Sequence, residues 1–198
     1  EGQIRVANMD VARSRSNDIA KILTILRQEN HFITRLTVRQ LVGFGRFPYS
    51  RGRLTKEDEA IISKYIDFFE LTDLEHRFLD ELSGGQRQRA YVAMVLCQET
   101  EYVLLDEPLN NLDMKHSVQI MKTLRKMVDE LGKTIVIVIH DINFASCYSD
   151  YIVALKDGKV IKEGSTNQII QPDVLRSIYD MDIQIKEIDQ NKICVYYA

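Results

Sequence analysis

Four short stretches of this chain put chemically able side chains where strands and helices end. The first is Ser83-Gly84-Gly85-Gln86. Ser83 is a helix N-cap, and Gln86, three residues on, completes a capping box. Two glycines bare the backbone N–H groups of the first turn, and the helix dipole adds positive potential there, which makes an anion site. An ordinary capped helix would also use Ser83 and Gln86. It does not need two glycines in its first turn, each costing up to about 1 kcal/mol. The second stretch is VLLDEP. Its apolar run delivers Asp106 and Glu107 to a strand end, the arrangement with which phosphoryl-transfer folds hold Mg²⁺ and a water. Asp106 would face the metal and Glu107 would polarise the attacking water. A strand ending in a solvated turn reads the same way, so the polar loop LNNLD that follows, closed by Asp113, adds weight. The third is IVIVIHD, where His140 ends an apolar run and would contact a γ-phosphate. A strand-end histidine is otherwise structural. The fourth is Gln28, at the end of ILRQ, a weak signal by itself.

The elements that must position these residues follow from periodicity. Residues 1–6 alternate like a short strand, 18–22 read as a helical turn, and TILRQ reads as a strand ending near Gln28. LTVRQLVGF is helical from Thr37 to about Gly45. The stretch GRFPYSRGRL, with Gly45, Pro48 and Gly52, reads as a loop. It carries Arg46, Arg51 and Arg53, with Arg39 upstream, as a solvated basic surface. Thr55 caps a helix to Phe69 whose apolar face is Ile61, Ile62, Tyr65, Ile66 and Phe69. YVLLDEP, TIVIVIHD and YIVALKDG predict buried parallel strands. A helix from about Met114 to Leu131 with apolar positions Val118, Met121, Leu124, Val128 and Leu131 separates the first two, and Gly132 stops it. Asp157–Gly158 predicts a hairpin turn. Pro172 opens a last helix before a tail strand. The sum is an α/β fold with a helical insertion.

Composition bounds the rest. A formal net charge of −3 over 198 residues provides no global basic field for nucleic acid. Cys97, Cys147 and Cys194 show no CxxC spacing, and His31, His76, His116 and His140 show no metal-ligand spacing, which argues against a zinc site and for a reduced, cytosolic setting. Cys97 and Cys147 are expected to pack in helices, and His116 to be an exposed helix residue. No run approaches the roughly 18 apolar residues of a membrane span.

Taken in order, ILRQ, LSGGQ, VLLDEP, NNLD and IVIHD resemble the ATP-binding cassette (ABC) family, and the resemblance runs along nearly the whole chain. It implies a partial P-loop NTPase-like core with parallel strands and an inserted helical subdomain. Residues 1–30 would be residual core up to the Q-loop and 31–98 the helical subdomain with the signature motif. Residues 99–198 would be the α/β core with Walker B, D-loop, switch histidine and a C-terminal tail. It implies that Gln28 is the Q-loop residue and a Mg²⁺ contact, Asp106 the Walker B metal acid and Glu107 the catalytic base. His140 becomes the switch histidine, and Asn110 to Asp113 form the D-loop. Ser83, Gly84, Gly85, Gln86 and Asp113 would serve nucleotide held by a second subunit. LTVRQLVGFGRFPYSRGRL, NNLDMKHS and HDINFASCYSD look most like the ATPases of iron–siderophore importers; haem and cobalamin importers share much of this pattern.

The same resemblance implies ATP with Mg²⁺, a homodimer, a transmembrane permease, a substrate-binding protein met indirectly, no nucleic acid, and a peripheral position on the cytoplasmic membrane face. Phe32, Ile33 and Leu36 would be permease contacts or core of the helical insertion. A non-transport ABC ATPase with long coiled coils is disfavoured, since only 55 residues separate Gln28 from Ser83. A non-enzymatic interaction module is the remaining alternative. The loop G-x-x-x-x-G-K-[ST] that cradles phosphates does not occur. Gly132-Lys133-Thr134 is the only GK-[ST], and it reads as a helix C-cap. The expectation is a fragment lacking Walker A, inactive alone, with open sheet edges that invite pairing with another chain.

Overall fold

The structure, a computed structural model, describes residues 2–28 and 35–197. Phe32 and Ile33 lie outside the described residues. The chain divides into two compact units, residues 1–138 and 139–198, and each is described by itself.

The first unit opens with a two-residue antiparallel pair, β1 (Arg5–Val6) with β2 (Met9–Asp10), and a single helical turn, α1 (Ser16–Ile19). The initial alternation thus yields a tight hairpin rather than one strand; Ala7 and Asn8 turn it with positive φ. β3 (Leu23–Leu26) follows and stops two residues short of Gln28. Helix α2 (Val38–Gly43) starts at Thr37, whose hydroxyl accepts from the Gln40 N–H while the Gln40 side chain accepts from the Thr37 N–H. Val38, Leu41 and Val42, at helical spacing, are buried. Leu36 is buried as well, and its carbonyl accepts from Leu79 N–H, which places it in the core.

The stretch expected as a loop is mostly helical. A 3₁₀ turn spans Phe44–Arg46 and α3 spans Phe47–Ser50. Pro48 sits in the first turn of α3, where its missing N–H costs nothing. The chain leaves the helix only at Arg51 and Gly52, both with positive φ. Gly45 is a packing residue. A Cβ there would lie 2.2 Å from the Met94 carbonyl oxygen and 3.2 Å from Cys97 Cβ. Gly45→Ala is therefore expected to destabilise the protein by roughly 2 kcal/mol through overpacking. A urea midpoint unchanged by that substitution would contradict this close approach.

Arg46 also departs from the expected basic surface. It is buried, with its guanidinium on Asp58. Arg39 bonds Glu59 and Glu75. Only Arg51 and Arg53 are exposed as expected. Helix α4 (Lys56–Phe68) begins at Thr55 with a capping box to Asp58, and Ile62, Tyr65, Ile66 and Phe69 are buried. Ile61 is half-buried. Helix α5 (Gly84–Cys97) follows Ser83 and buries nearly all of its second half, including Cys97.

β4 (Tyr102–Asp106) lies between β3 and β5 (Thr134–Val138), parallel to both. The connection is α6 (Met114–Leu131). Its buried positions are Ser117, Ile120, Met121, Thr123, Leu124 and Met127, while Val118 and Val128 are half-buried and Leu131 exposed. The helix is thus rotated from the expected face. Gly132 ends it in the left-handed region at φ 61°, with its N–H on the Val128 carbonyl, as a C-cap. β4 is central and buries Val103 and Leu105. β5 is not the buried strand expected. Paired on one side only among the described residues, it leaves Val136 54% exposed and Val138 49% exposed.

The second unit contains α7 (Ile142–Tyr148), β6 (Tyr151–Lys156), β7 (Lys159–Ser165), α8 (Thr166–Ile169), α9 (Pro172–Tyr179), β8 (Gln184–Ile188) and β9 (Asn191–Val195). β6 is the second correction to the parallel-strand expectation. It pairs antiparallel with β7 through the Asp157–Gly158 turn, both residues at positive φ. The turn chemistry, also legible in the sequence, overrides the apolar run. β8 and β9 form a further hairpin where one tail strand was expected. Ile142, Ile170, Leu175, Ile183 and Cys194 make the core of this unit. Asn143 ties α7 to β9 by two hydrogen bonds with the Cys194 backbone. Cys147 is partly buried.

Candidate functional site

Parallel pairing builds the site. Leu26 of β3 is in register with Leu105 of β4. Gln28 and Glu107 each lie two residues further on, so the sheet carries both past the same edge. Their side chains meet there: Gln28 Nε2 donates to Glu107 Oε2 at 2.8 Å. Asn110 Nδ2 donates to the same oxygen at 2.6 Å. Glu107 occupies the left-handed region at φ 49°, unusual for a residue with a long side chain. Its N–H is held by the Val138 carbonyl of β5 at 3.1 Å. A strained backbone fixed from a neighbouring strand, and a carboxylate held by two amides, mark a group whose position is specified. Asp106 is the last residue of β4, half-buried and in register with Val138.

Ser83 forms the capping box expected of it. Its hydroxyl accepts from Gln86 N–H at 3.2 Å, and Gln86 Oε1 accepts from Ser83 N–H at 3.0 Å. Ser83 and Gly84 are exposed, so the first turn of α5 is open to a ligand. The glycines have a second neighbour that sequence reading did not supply. A Cβ on Gly84 would lie 3.5 Å from Asn111 Cβ, and one on Gly85 3.4 Å from the Asn111 carbonyl oxygen. The start of α5 therefore faces the 109–113 loop of its own chain, with room for a methyl group between them. Ser83→Ala is expected to cost about 1 kcal/mol by removing the cap. Thermal unfolding checks this, and a midpoint equal to that of the unsubstituted protein would refute it.

Asp113 caps α6, accepting from His116 N–H at 2.9 Å. That N–H, then the His116 ring, holds its carboxyl below the usual range. His116 is half-buried, not exposed as expected, and its Nδ1 sits 2.8 Å from Asp113 Oδ1. His140 lies in the second unit, two residues after the end of β5, and is exposed. Sequence reading placed Asn110 in the D-loop but missed its bond to Glu107, and it missed Gln88, whose Nε2 donates to the Pro108 carbonyl at 2.9 Å. An asparagine three residues after an acid, in a turn, is the signal that could have found the first.

Among the described residues no cluster of three or more His, Cys, Asp or Glu could hold a metal by itself. Mg²⁺ does not need one, since it is bound by one or two carboxylates together with substrate phosphates. The oxygens of Glu107 and Gln28, brought together past the ends of β4 and β3, are hard donors of the kind it takes, and Asp106 ends β4 one residue before.

The description "ABC transporter" matches residues 1–110. The chain is 67% identical over 196 residues to the petrobactin import ATP-binding protein FatE of Bacillus anthracis, covering 99% of this chain and 78% of that protein. The chain belongs to the ABC transporter family. To the petrobactin import ATP-binding protein YclP of Bacillus subtilis this ABC protein is 55% identical over 197 residues, covering 100% of the chain and 78% of the relative. Among solved structures it resembles the dimeric, post-hydrolysis ATP-binding cassette MJ0796 bound to ADP and Pi, with TM-score 0.74 and 31% identity over 84% of this chain and 74% of that one. It also resembles cbiO1 from Clostridium perfringens, part of the ABC transporter complex cbiONQ, with TM-score 0.70 and 28% identity over 89% of this chain and 71% of that one. The α/β cassette fold and the ATPase class expected from the motifs both stand. No helix among the described residues is long and apolar enough to cross a membrane.

Proposed function

We propose that this chain is the ATP-hydrolysing subunit that energises import of a ferric siderophore of the petrobactin kind. The observation that carries the ATPase part is the Glu107 carboxylate, held by Gln28 and Asn110 past the end of β4. The substrate class rests on likeness to FatE and YclP. In this reading Glu107 takes a proton from the attacking water and Asp106 with Gln28 would hold Mg²⁺. That ion supplies charge neutralisation at the phosphates when bound. His140 orients the γ-phosphate. Ser83, Gly84, Gly85, Gln86 and Asp113 serve the nucleotide of a second copy in a head-to-tail homodimer, where the N-terminus of α5 stabilises developing charge. The dimer sits on a permease at the cytoplasmic membrane face, with a binding protein beyond it. Residues 1–198 contain no G-x-x-x-x-G-K-[ST] loop, so by themselves they are expected to hydrolyse ATP negligibly, and a segment carrying that loop should restore turnover.

The test is iron uptake. A strain deleted for this gene should fail to take up radioactive iron from ferric petrobactin while still using haem iron. Loss of haem or cobalamin uptake alone would move the assignment to those importers, and unimpaired uptake of all three would sink the transport reading.

A further inference from the structure

Helix α5 has two attachments to chemistry. Its start, Ser83–Gln86, is open; two residues further, the Gln88 amide reaches its own chain and donates to the Pro108 carbonyl at 2.9 Å. Pro108 is bonded directly to Glu107. We propose that Gln88 is a positioning residue that couples the signature helix to Glu107 of the same chain, so that a nucleotide closing on Ser83–Gln86 in the dimer is felt at the carboxylate serving the other nucleotide. This rests on the ATPase reading above.

Three observations carry it. First, neither partner needs the bond for its own structure. Helix α5 is already capped by Ser83 and Gln86, and β4 is hydrogen-bonded on both sides. Second, the geometry transmits. Pro108, whose carbonyl Gln88 holds, directly follows Glu107, and Glu107 sits in the small left-handed region at φ 49°, so the path from the helix to its backbone is short. Third, the loop runs alongside the helix start. A Cβ on Gly84 or Gly85 would be in ordinary contact with Asn111 or Leu112, and Asn110 of the same loop holds Glu107 Oε2. The first turns of α5 thus lie beside the segment that carries Glu107. The Gln88 bond thus links the helix to the loop on which Glu107 stands, a contiguous path of the kind that can carry coupling.

The experiment measures ATPase rate against ATP concentration for the full-length protein in its transporter, with Gln88→Met and Gln88→Glu, each of similar size and without the amide donor. The expected result is a Hill coefficient above 1 in the unsubstituted protein and close to 1 in both variants. kcat should fall about three- to tenfold, the range of one lost neutral hydrogen bond, while KM changes less than about twofold. Thermal midpoints should stay near that of the parent. Gln88→Glu serves if Gln88→Met yields no folded protein. An unchanged Hill coefficient in the variants, or a parent that is itself non-cooperative, overturns the coupling while leaving the ATPase reading intact. A parent with no ATPase activity overturns that reading and the coupling with it.

Discussion

With the phosphate-cradling loop supplied, replacing Glu107 by glutamine is expected to lower ATP turnover about a thousandfold while ATP binding survives. The reasoning starts from what the substitution keeps. Glutamine has the same length and branching, and its side-chain oxygen can still accept the bonds that Gln28 and Asn110 give to Glu107 Oε2 at 2.8 and 2.6 Å. The backbone at φ 49°, anchored by the Val138 carbonyl, is not disturbed. The basic oxygen is what is lost. A neutral amide cannot take the proton of an attacking water, and a positioned general base contributes about 10² to 10⁴ in rate. Because the shape of the loop is preserved, the dimer should close on ATP and stay closed. Phosphate release measured alongside binding of a fluorescent ATP analogue checks both halves. Turnover within tenfold of the parent would show that Glu107 is not the base.

Arg46→Met is expected to be the most destabilising single change outside the site, by about 3 to 5 kcal/mol, or on the order of 10 °C in thermal midpoint. Arg46 Nε bonds Asp58 Oδ1 at 2.9 Å, Nη1 reaches the Cys97 carbonyl at 3.1 Å, and the guanidinium stacks 4.3 Å from the Tyr49 ring. Both partners of the pair are buried, with side chains 9% and 6% exposed. Methionine fills the volume but leaves Asp58 as a buried charge with only its capping bonds to Thr55. The double change Arg46→Met with Asp58→Asn should therefore cost less than the two single changes added together. Strict additivity would show that the pair contributes nothing as a pair. The pH dependence has a definite sign. The Asp58 carboxyl is held below its ordinary value, first by the Thr55 backbone N–H and then by Arg46. Its contribution is full above the unfolded value of about 3.9 and drains away as pH falls through the lower folded value.

Much of this was legible because the information is local. Thr55 and Ser83 announce their helices by caps that depend on a few consecutive residues. Gly132 ends α6 for the same reason. The order of Gln28, Ser83, Glu107 and Asp113 carries the family. What was not legible depends on neighbours distant in sequence. Arg46 looks like a surface arginine until α4 brings Asp58 to it and α5 brings the Cys97 carbonyl. The run YIVAL has the composition of a buried parallel strand, yet its partner is chosen by the Asp157–Gly158 turn. The face of α6 follows from what it packs against, which moved burial from Val128 and Leu131 to Ile120 and Met127. Gln88 is an ordinary helix glutamine in the sequence; only the path of the Pro108 carbonyl gives it a partner.

The parallel pairing of β3 with β4 has a consequence for the order in which the protein assembles. It joins two residues, Gln28 and Glu107, that are 79 positions apart, and closing so long a loop must be paid in chain entropy before any contact returns it. Helices α4 and α5 need no such closure and can form early. Pulse-labelled hydrogen exchange during refolding should find α5 amides protected before those of β4; the reverse order would refute this. The Gln28–Glu107 pair is then among the last contacts made in the first unit, so a carboxylate seated on Gln28 reports that this unit has finished folding. A half-folded copy would lack that seat, so the contact separates finished from unfinished copies of this unit.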